Sequence, residues 1–130
     1  MAILIVEDNP TNGLILRHLV AKAGSGEIVV CDDPTKALQI CETQSFDLMM
    51  IDHMLPGMTG VQFVRLVRNF GNFRETPIVM VTADTSAEVR EDAMAAGVNT
   101  FLTKPIEALA FTRMMSRLIA NPSNTTATLA

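Results

Sequence analysis

Glu7 and Asp8, Asp52, Thr82 and Lys104 each stand just past a short apolar run, and together they could do chemistry. Carboxylates gathered at one point repel and raise one another's pKa unless a cation intervenes. Set against one ammonium, the three acids leave two uncompensated negative charges, which a divalent ion would neutralise. Hard oxygen donors with positions to spare suit Mg2+, which keeps waters and favours a partner phosphate. A carboxylate beside Mg2+ and an ammonium is a competent nucleophile for a phosphoryl group, giving an aspartyl phosphate. The Thr82 hydroxyl could hydrogen-bond the product oxygens. Taken singly, each of these residues is more often a solvated loop residue. Only their convergence argues for a site.

Convergence requires a parallel sheet whose strands all end on one edge, the edge where such sheets bind ligands. Five apolar runs supply the strands: Ala2 to Val6, Ile28 to Cys31, Phe46 to Ile51, Ile78 to Val81 and Val98 to Leu102. They are too short for helices and lack strict alternation, as strands buried on both faces do. The stretches between them carry helix punctuation. Asn9-Pro10 and Asp33-Pro34 each supply an N-cap followed by a proline at the first helical position, and Gly24 can end the first helix. Thr59 to Gln62 and Thr85 to Glu88 read as capping boxes for the third and fourth helices. Gly97 closes the fourth, whose core stripe is Val89, Ala93 and Met94 or Ala96; the fifth presents Leu109, Phe111, Met114, Met115, Leu118 and Ile119. The methionines read as core filler. Strand–helix alternation throughout predicts a (βα)5 unit, with helices on both faces of the sheet.

The chain of 130 residues, 48% hydrophobic and 18% charged, has the size of one domain and needs no staple to fold. Ten basic and fourteen acidic residues give a net charge of −4, which argues against gripping nucleic acid or an anionic membrane. Cys31 and Cys41, without C-x-x-C spacing, argue against a zinc ribbon or a disulfide scaffold and fit the cytoplasm. The first eight residues lack a basic segment and end in two acids, unlike a signal peptide. Residues 120–130 are polar and aperiodic, a tail or the start of a linker after a domain over 1–119. That tail favours a domain cut from a longer protein. Gly24 to Gly26 precede a strand instead of opening a helix, so a dinucleotide-binding reading fails. His53 reads as a lining residue and His18 as a helix-surface one, while Arg65, Arg68 and Arg74 read as a solvated face.

Four motifs in order now carry a resemblance: Val6-Glu7-Asp8-Asn9, the block Asp52 to Gly60, Val81-Thr82-Ala83, and Lys104-Pro105. From about Ile3 to Ile119 the chain resembles the response-regulator receiver domain of two-component signalling. The resemblance implies a flavodoxin-like fold with strand order 2-1-3-4-5. It implies Asp52 as phosphoacceptor, Asp8 as a direct Mg2+ ligand, Glu7 acting on the metal through water, and the Met54 carbonyl completing the protein ligands. Lys104, Thr82 and the Ala83 amide would hold the phosphoryl oxygens. Phe101 takes the family's switch-aromatic position, and Pro105 its cis-proline, which would help aim Lys104. The first acid is Glu where Asp is commoner, and Phe101 has no phenolic hydroxyl.

The function so implied is a signalling switch and not a turnover enzyme, although it would assist its own phosphorylation and hydrolysis. Its phosphodonor would be a histidine kinase or histidine phosphotransfer protein. An output domain, or a second copy through helix four, strand five and helix five, would read the result. Two rivals stand. An aspartate-nucleophile phosphatase would want a second acid two residues after the nucleophile, where Met54 stands. A receiver-like docking module would work without phosphorylation.

Overall fold

The computed structural model describes residues 1–24 and 26–120, and among them the five expected strands form one sheet. The elements run β1 (Ala2–Val6), α1 (Pro10–Lys22), β2 (Glu27–Cys31), α2 (Pro34–Thr43), β3 (Leu48–Asp52), α3 (Gly60–Val67), β4 (Ile78–Thr82), α4 (Ala87–Ala96), β5 (Thr100–Thr103) and α5 (Ala108–Ala120), with a short 3-10 turn at Gly71–Phe73. All pairings are parallel and the order is β2-β1-β3-β4-β5, the flavodoxin-like order expected. The central strands are buried on both faces, which explains their unbroken apolar sequences.

Side chains alternate between two cores. Leu4, Val6, Met49, Ile51, Ile78 and Met80 pack with α2, α3 and α4. Ile3, Ile5, Met50, Val79, Val81 and Leu102 pack with α1 and α5. Cys31 and Cys41 are buried and free, and burial pushes the Cys41 thiol up to about 11, so Cys41 is not poised to react. No described helix is long and apolar enough to cross a membrane.

The helix starts follow the sequence with one exception. Asn9 and Asp33 accept from the amides of Asn12 and Thr35, and Thr59 with Gln62 makes the reciprocal capping box. Gly97 ends α4 at φ 115°, a left-handed conformation that glycine adopts without strain. The box expected at Thr85 is absent. Ser86 caps α4 instead, because Asp84 Oδ1 accepts from the Ser86 amide and holds the chain non-helical one residue longer. Ala96 and not Met94 completes the α4 stripe, while Leu109 is exposed. Ile119's side chain and residues 121–130 lie outside the described set.

Arg68 corrects the expected solvated arginine face. Arg65 and Arg74 are exposed, but Arg68 is half-buried. It donates to the Phe73 carbonyl at 2.6 Å, the Gly97 carbonyl at 2.7 Å and Asn99 Oδ1 at 3.0 Å, tying α3 to the end of α4. Charged donors to buried carbonyls are costly to remove, since the acceptors lose their partners. Arg68→Met is expected to lower stability by roughly 2–4 kcal/mol, read as a shifted urea midpoint.

Candidate functional site

The ladder that builds the sheet runs one residue past each strand and so sets the site's backbone. Glu7 N–H donates to Cys31 O at 3.0 Å, His53 N–H to Val81 O at 3.2 Å, and Lys104 N–H to Thr82 O at 3.0 Å. Glu7 follows β1, Asp52 closes β3, Thr82 closes β4 and Lys104 follows β5. One sheet edge therefore gathers residues almost a hundred positions apart in sequence.

Gly60 sharpens the position of Asp52. Its amide donates to the His53 carbonyl at 2.7 Å, and a Cβ at this position would lie 2.5 Å from the Asp52 carbonyl oxygen and 2.9 Å from His53 Cα. Only a glycine lets α3 start this close to the end of β3. Between them, Gly57 turns at φ 82°, and Met54 bridges to Thr59 across the loop.

Oxygen atoms of Glu7, Asp8 and Asp52 all lie within 4.8 Å of one another. Glu7 and Asp52 are buried and Asp8 is exposed. Lys104 Nζ sits 3.1 Å from Asp52 Oδ1 and 3.2 Å from Glu7 Oε1. Glu7 Oε2 accepts from the Asn9 amide at 3.1 Å, whereas buried Oε1 has no aligned hydrogen-bond donor. Burial first, then the neighbouring Asp52, push the Glu7 carboxyl up to about 7. Burial would lower the Lys104 ammonium, but Asp52 and then Glu7 outweigh it and hold the group above its ordinary range. One lysine against three acids leaves the cluster short of positive charge. Hard carboxylate oxygens this close, one without an aligned donor, fit a divalent cation of the Mg2+ kind.

The raised Glu7 carboxyl has a stability consequence without metal. A folded-state value of about 7 against an ordinary 4.5 means that the fold holds the Glu7 proton more tightly than the unfolded chain. Its contribution is complete below pH 4.5 and is lost as pH rises through 7. Glu7→Gln escapes that loss, so it is expected to gain up to about 3 kcal/mol on the native protein between pH 5 and pH 8. Thermal unfolding in a chelator at the two pH values checks this.

The remaining expected residues fall around the cluster. Met54 is exposed, with its amide 3.4 Å from Asp52 Oδ1, and Ala83 is exposed just past β4. Thr82 is buried and its Oγ1 accepts from the Asp84 amide at 3.0 Å. The Lys104–Pro105 peptide bond is cis, as expected. Phe101 is half-buried on β5 rather than in the cluster. His53, read as a lining residue, is half-buried with its Nδ1 unpartnered, and His18 is exposed. Sequence reasoning missed Gly60 as a positioning residue and Arg90, whose guanidinium lies 4.4 Å over the Phe101 ring.

The family model described as the response regulator receiver domain matches residues 3–116. The chemotaxis protein CheY of Pseudomonas aeruginosa is 36% identical over 108 residues, covering 83% of this chain and 87% of CheY. The cyclic di-GMP phosphodiesterase response regulator RpfG of Xanthomonas campestris is 38% identical over 106 residues, or 80% of this chain, which spans only 28% of RpfG. Among solved structures, CheY4 of Vibrio cholerae superposes with a TM-score of 0.84 at 30% identity, covering 90% of this chain and 97% of that one. The receiver domain of the sensor histidine kinase PA1611 from Pseudomonas aeruginosa, solved with a magnesium ion in its active-site cleft, gives 0.82 at 31% identity, covering 92% and 97%. The matched span holds the whole sheet but for Ala2, together with the whole acidic edge, and the chain belongs to the response regulator receiver domains of two-component signalling.

Proposed function

We propose that Asp52 accepts a phosphoryl group from the phosphohistidine of a histidine kinase or histidine phosphotransfer protein. The observation that carries this is a buried carboxylate held 3.1 Å from a lysine ammonium, within a cluster still short of positive charge. An Asp52 oxygen forms the new bond to phosphorus as the phosphorus–nitrogen bond of the donor breaks, and the electron pair stays with the donor imidazole. Lys104 then has a new anion to pair with, and Glu7 loses part of its counter-ion. Thr82 and the Ala83 amide, at the end of β4, are our candidates for the remaining phosphoryl oxygens. Asp8, Asp52 and the Met54 carbonyl would hold Mg2+, with Glu7 acting through water. When bound, the ion would shield the carboxylates from the incoming phosphate.

We read 1–119 as the receiver unit and 120–130 as a tail or the start of a linker. The signal is a population shift through Thr82 and Phe101 toward a surface on α4, β5 and α5, read by an output domain or a second copy. The chain would assist its own phosphorylation and hydrolysis without being a turnover enzyme. Free buried thiols support the cytoplasm as its compartment.

Acetyl phosphate with Mg2+ is expected to add one phosphate per chain, read by intact mass. In NMR titrations Mg2+ is expected to bind weakly and move amides near Asp8, Asp52 and Met54, and Asp8→Asn is expected to remove most of that response. A native chain that takes no phosphate would instead support a docking module independent of phosphorylation.

A further inference from the structure

Helix α4 is held very differently at its two ends. Its second half buries Ala93 and Ala96, and the carbonyl of its Gly97 cap accepts from Arg68 at 2.7 Å. Its first half buries no residue fully: Ala87, Glu88, Arg90, Glu91 and Asp92 are exposed and only Val89 is half-buried. That half has two ties. The first is a chain of short hydrogen bonds along the loop from β4. Asp84 N–H donates to Thr82 Oγ1 at 3.0 Å, Ser86 N–H to Asp84 Oδ1 at 2.9 Å, and Val89 N–H to Ser86 Oγ at 3.3 Å. The second is the Arg90 guanidinium over the Phe101 ring, 4.4 Å from its centroid.

Both ties lead back to one sheet face. Met80 pairs with Phe101 and Thr82 with Thr103 across β4 and β5. Met80 and Phe101 belong to the same core, and by strand alternation Thr82 shares their face while Val81 and Leu102 point to the other. The Thr82 hydroxyl is therefore the start of the loop chain and a diagonal neighbour of the ring under Arg90.

We infer that Arg90 is a latch that holds the first half of α4 on β5, released when the Thr82 hydroxyl turns from Asp84 to a phosphoryl oxygen. The inference rests on Asp52 as the phosphoacceptor. A Thr82 side chain that rotates to bring its hydroxyl to the phosphate carries its oxygen away from the Asp84 amide, which slackens the loop chain at its first link. Any movement of the Phe101 ring then takes away the surface on which Arg90 rests. The Arg68–Gly97 tie lies at the opposite end of α4 and is unaffected, so opening is confined to the first half of the helix while the second half stays docked. Phe101 has no hydroxyl, and the cation on its face supplies the polar contact that a phenol would otherwise make.

The test has a resting arm and a phosphorylated arm. In the resting protein, Arg90→Met is expected to speed amide hydrogen exchange of residues 88–92 roughly two- to five-fold, with residues 93–98 unchanged, the scale expected of an exposed cation–ring contact. Arg90→Lys is expected to restore part of the protection. In a double-mutant cycle with Phe101→Leu, the second substitution is expected to add nothing to the first. Uniform exchange changes along α4, or simple multiplication of the two effects, would overturn the latch. In the second arm, acetyl phosphate with Mg2+ is expected to raise exchange of 88–92 in the native protein to the level of Arg90→Met and to leave that variant unchanged. If intact mass shows phosphate on the native chain and 88–92 stay protected, the latch is overturned. If no phosphate is found, the acceptor reading fails, and the resting arm alone decides whether Arg90 holds α4.

Discussion

Asp52→Asn is expected to take up no phosphate under conditions that saturate the native chain. The amide has the shape of the carboxylate, so β3, the His53 N–H bond to Val81 and the start of α3 at Gly60 are all preserved. Its oxygen can still accept from Lys104. What it lacks is a nucleophilic anion, and without one nothing displaces the leaving group from phosphorus, be it the acetate of acetyl phosphate or a donor imidazole. The same change removes a carboxylate that helps push Glu7 upward, so Glu7 should ionise more easily and the variant should melt no lower than the native protein at pH 7. Loss of uptake with retained stability separates chemistry from folding. Intact mass after acetyl phosphate and Mg2+ reads the first, and thermal unfolding the second. Phosphate appearing on the variant at a comparable rate would move the acceptor to another carboxylate.

Gly60→Ala is expected to cost more than a single methyl group elsewhere in the core. The new Cβ would meet the Asp52 carbonyl oxygen at 2.5 Å, His53 Cα at 2.9 Å and Met80 Cε at 3.0 Å. The Met80 tip can move, but the first two are backbone atoms fixed by the β3–β4 ladder. Either α3 slides away from the sheet, losing part of the burial of Val61, Phe63 and Val64, or the end of β3 yields. We expect a loss of roughly 2–3 kcal/mol. That corresponds to a melting temperature about 10 °C lower for a chain of this size. Because the strained atoms belong to the acceptor's own peptide, phosphorylation should slow as well. Arg68→Met is the control, with comparable destabilisation expected far from the acidic edge. If both variants phosphorylate at the native rate, Gly60 acts on stability alone.

The strands and the acidic edge were legible because their signals are local. A five-residue apolar run ending in a charged residue marks both a buried strand and the point where it leaves the core. Asn9-Pro10, Asp33-Pro34 and Thr59 to Gln62 are caps written within four residues. The start of α4 was less legible because Thr85 and Ser86 are both competent caps, and the choice is made by Asp84, which lies before the pattern. Arg68 was misplaced for another reason. Its partners are two backbone carbonyls and an asparagine up to thirty-one residues away, and a carbonyl leaves no mark in sequence. The approach of Gly60 to Asp52 and of Arg90 to Phe101 is likewise a product of packing.

The strand order also bears on how the molecule comes together as it is synthesised. The triplet β2-β1-β3 is complete by residue 52, and it carries all three carboxylates. The countercharge arrives with Lys104, fifty-two positions after Asp52. A nascent chain that pairs β1 with β3 early sets Glu7 and Asp52 side by side without a neutralising partner, and protonation or an ion from solution must cover the deficit. Docking of β5 relieves part of that penalty in one step. The acidic edge thus opposes a half-formed domain more strongly than the finished one, which helps couple the two halves of the sheet into a single cooperative transition.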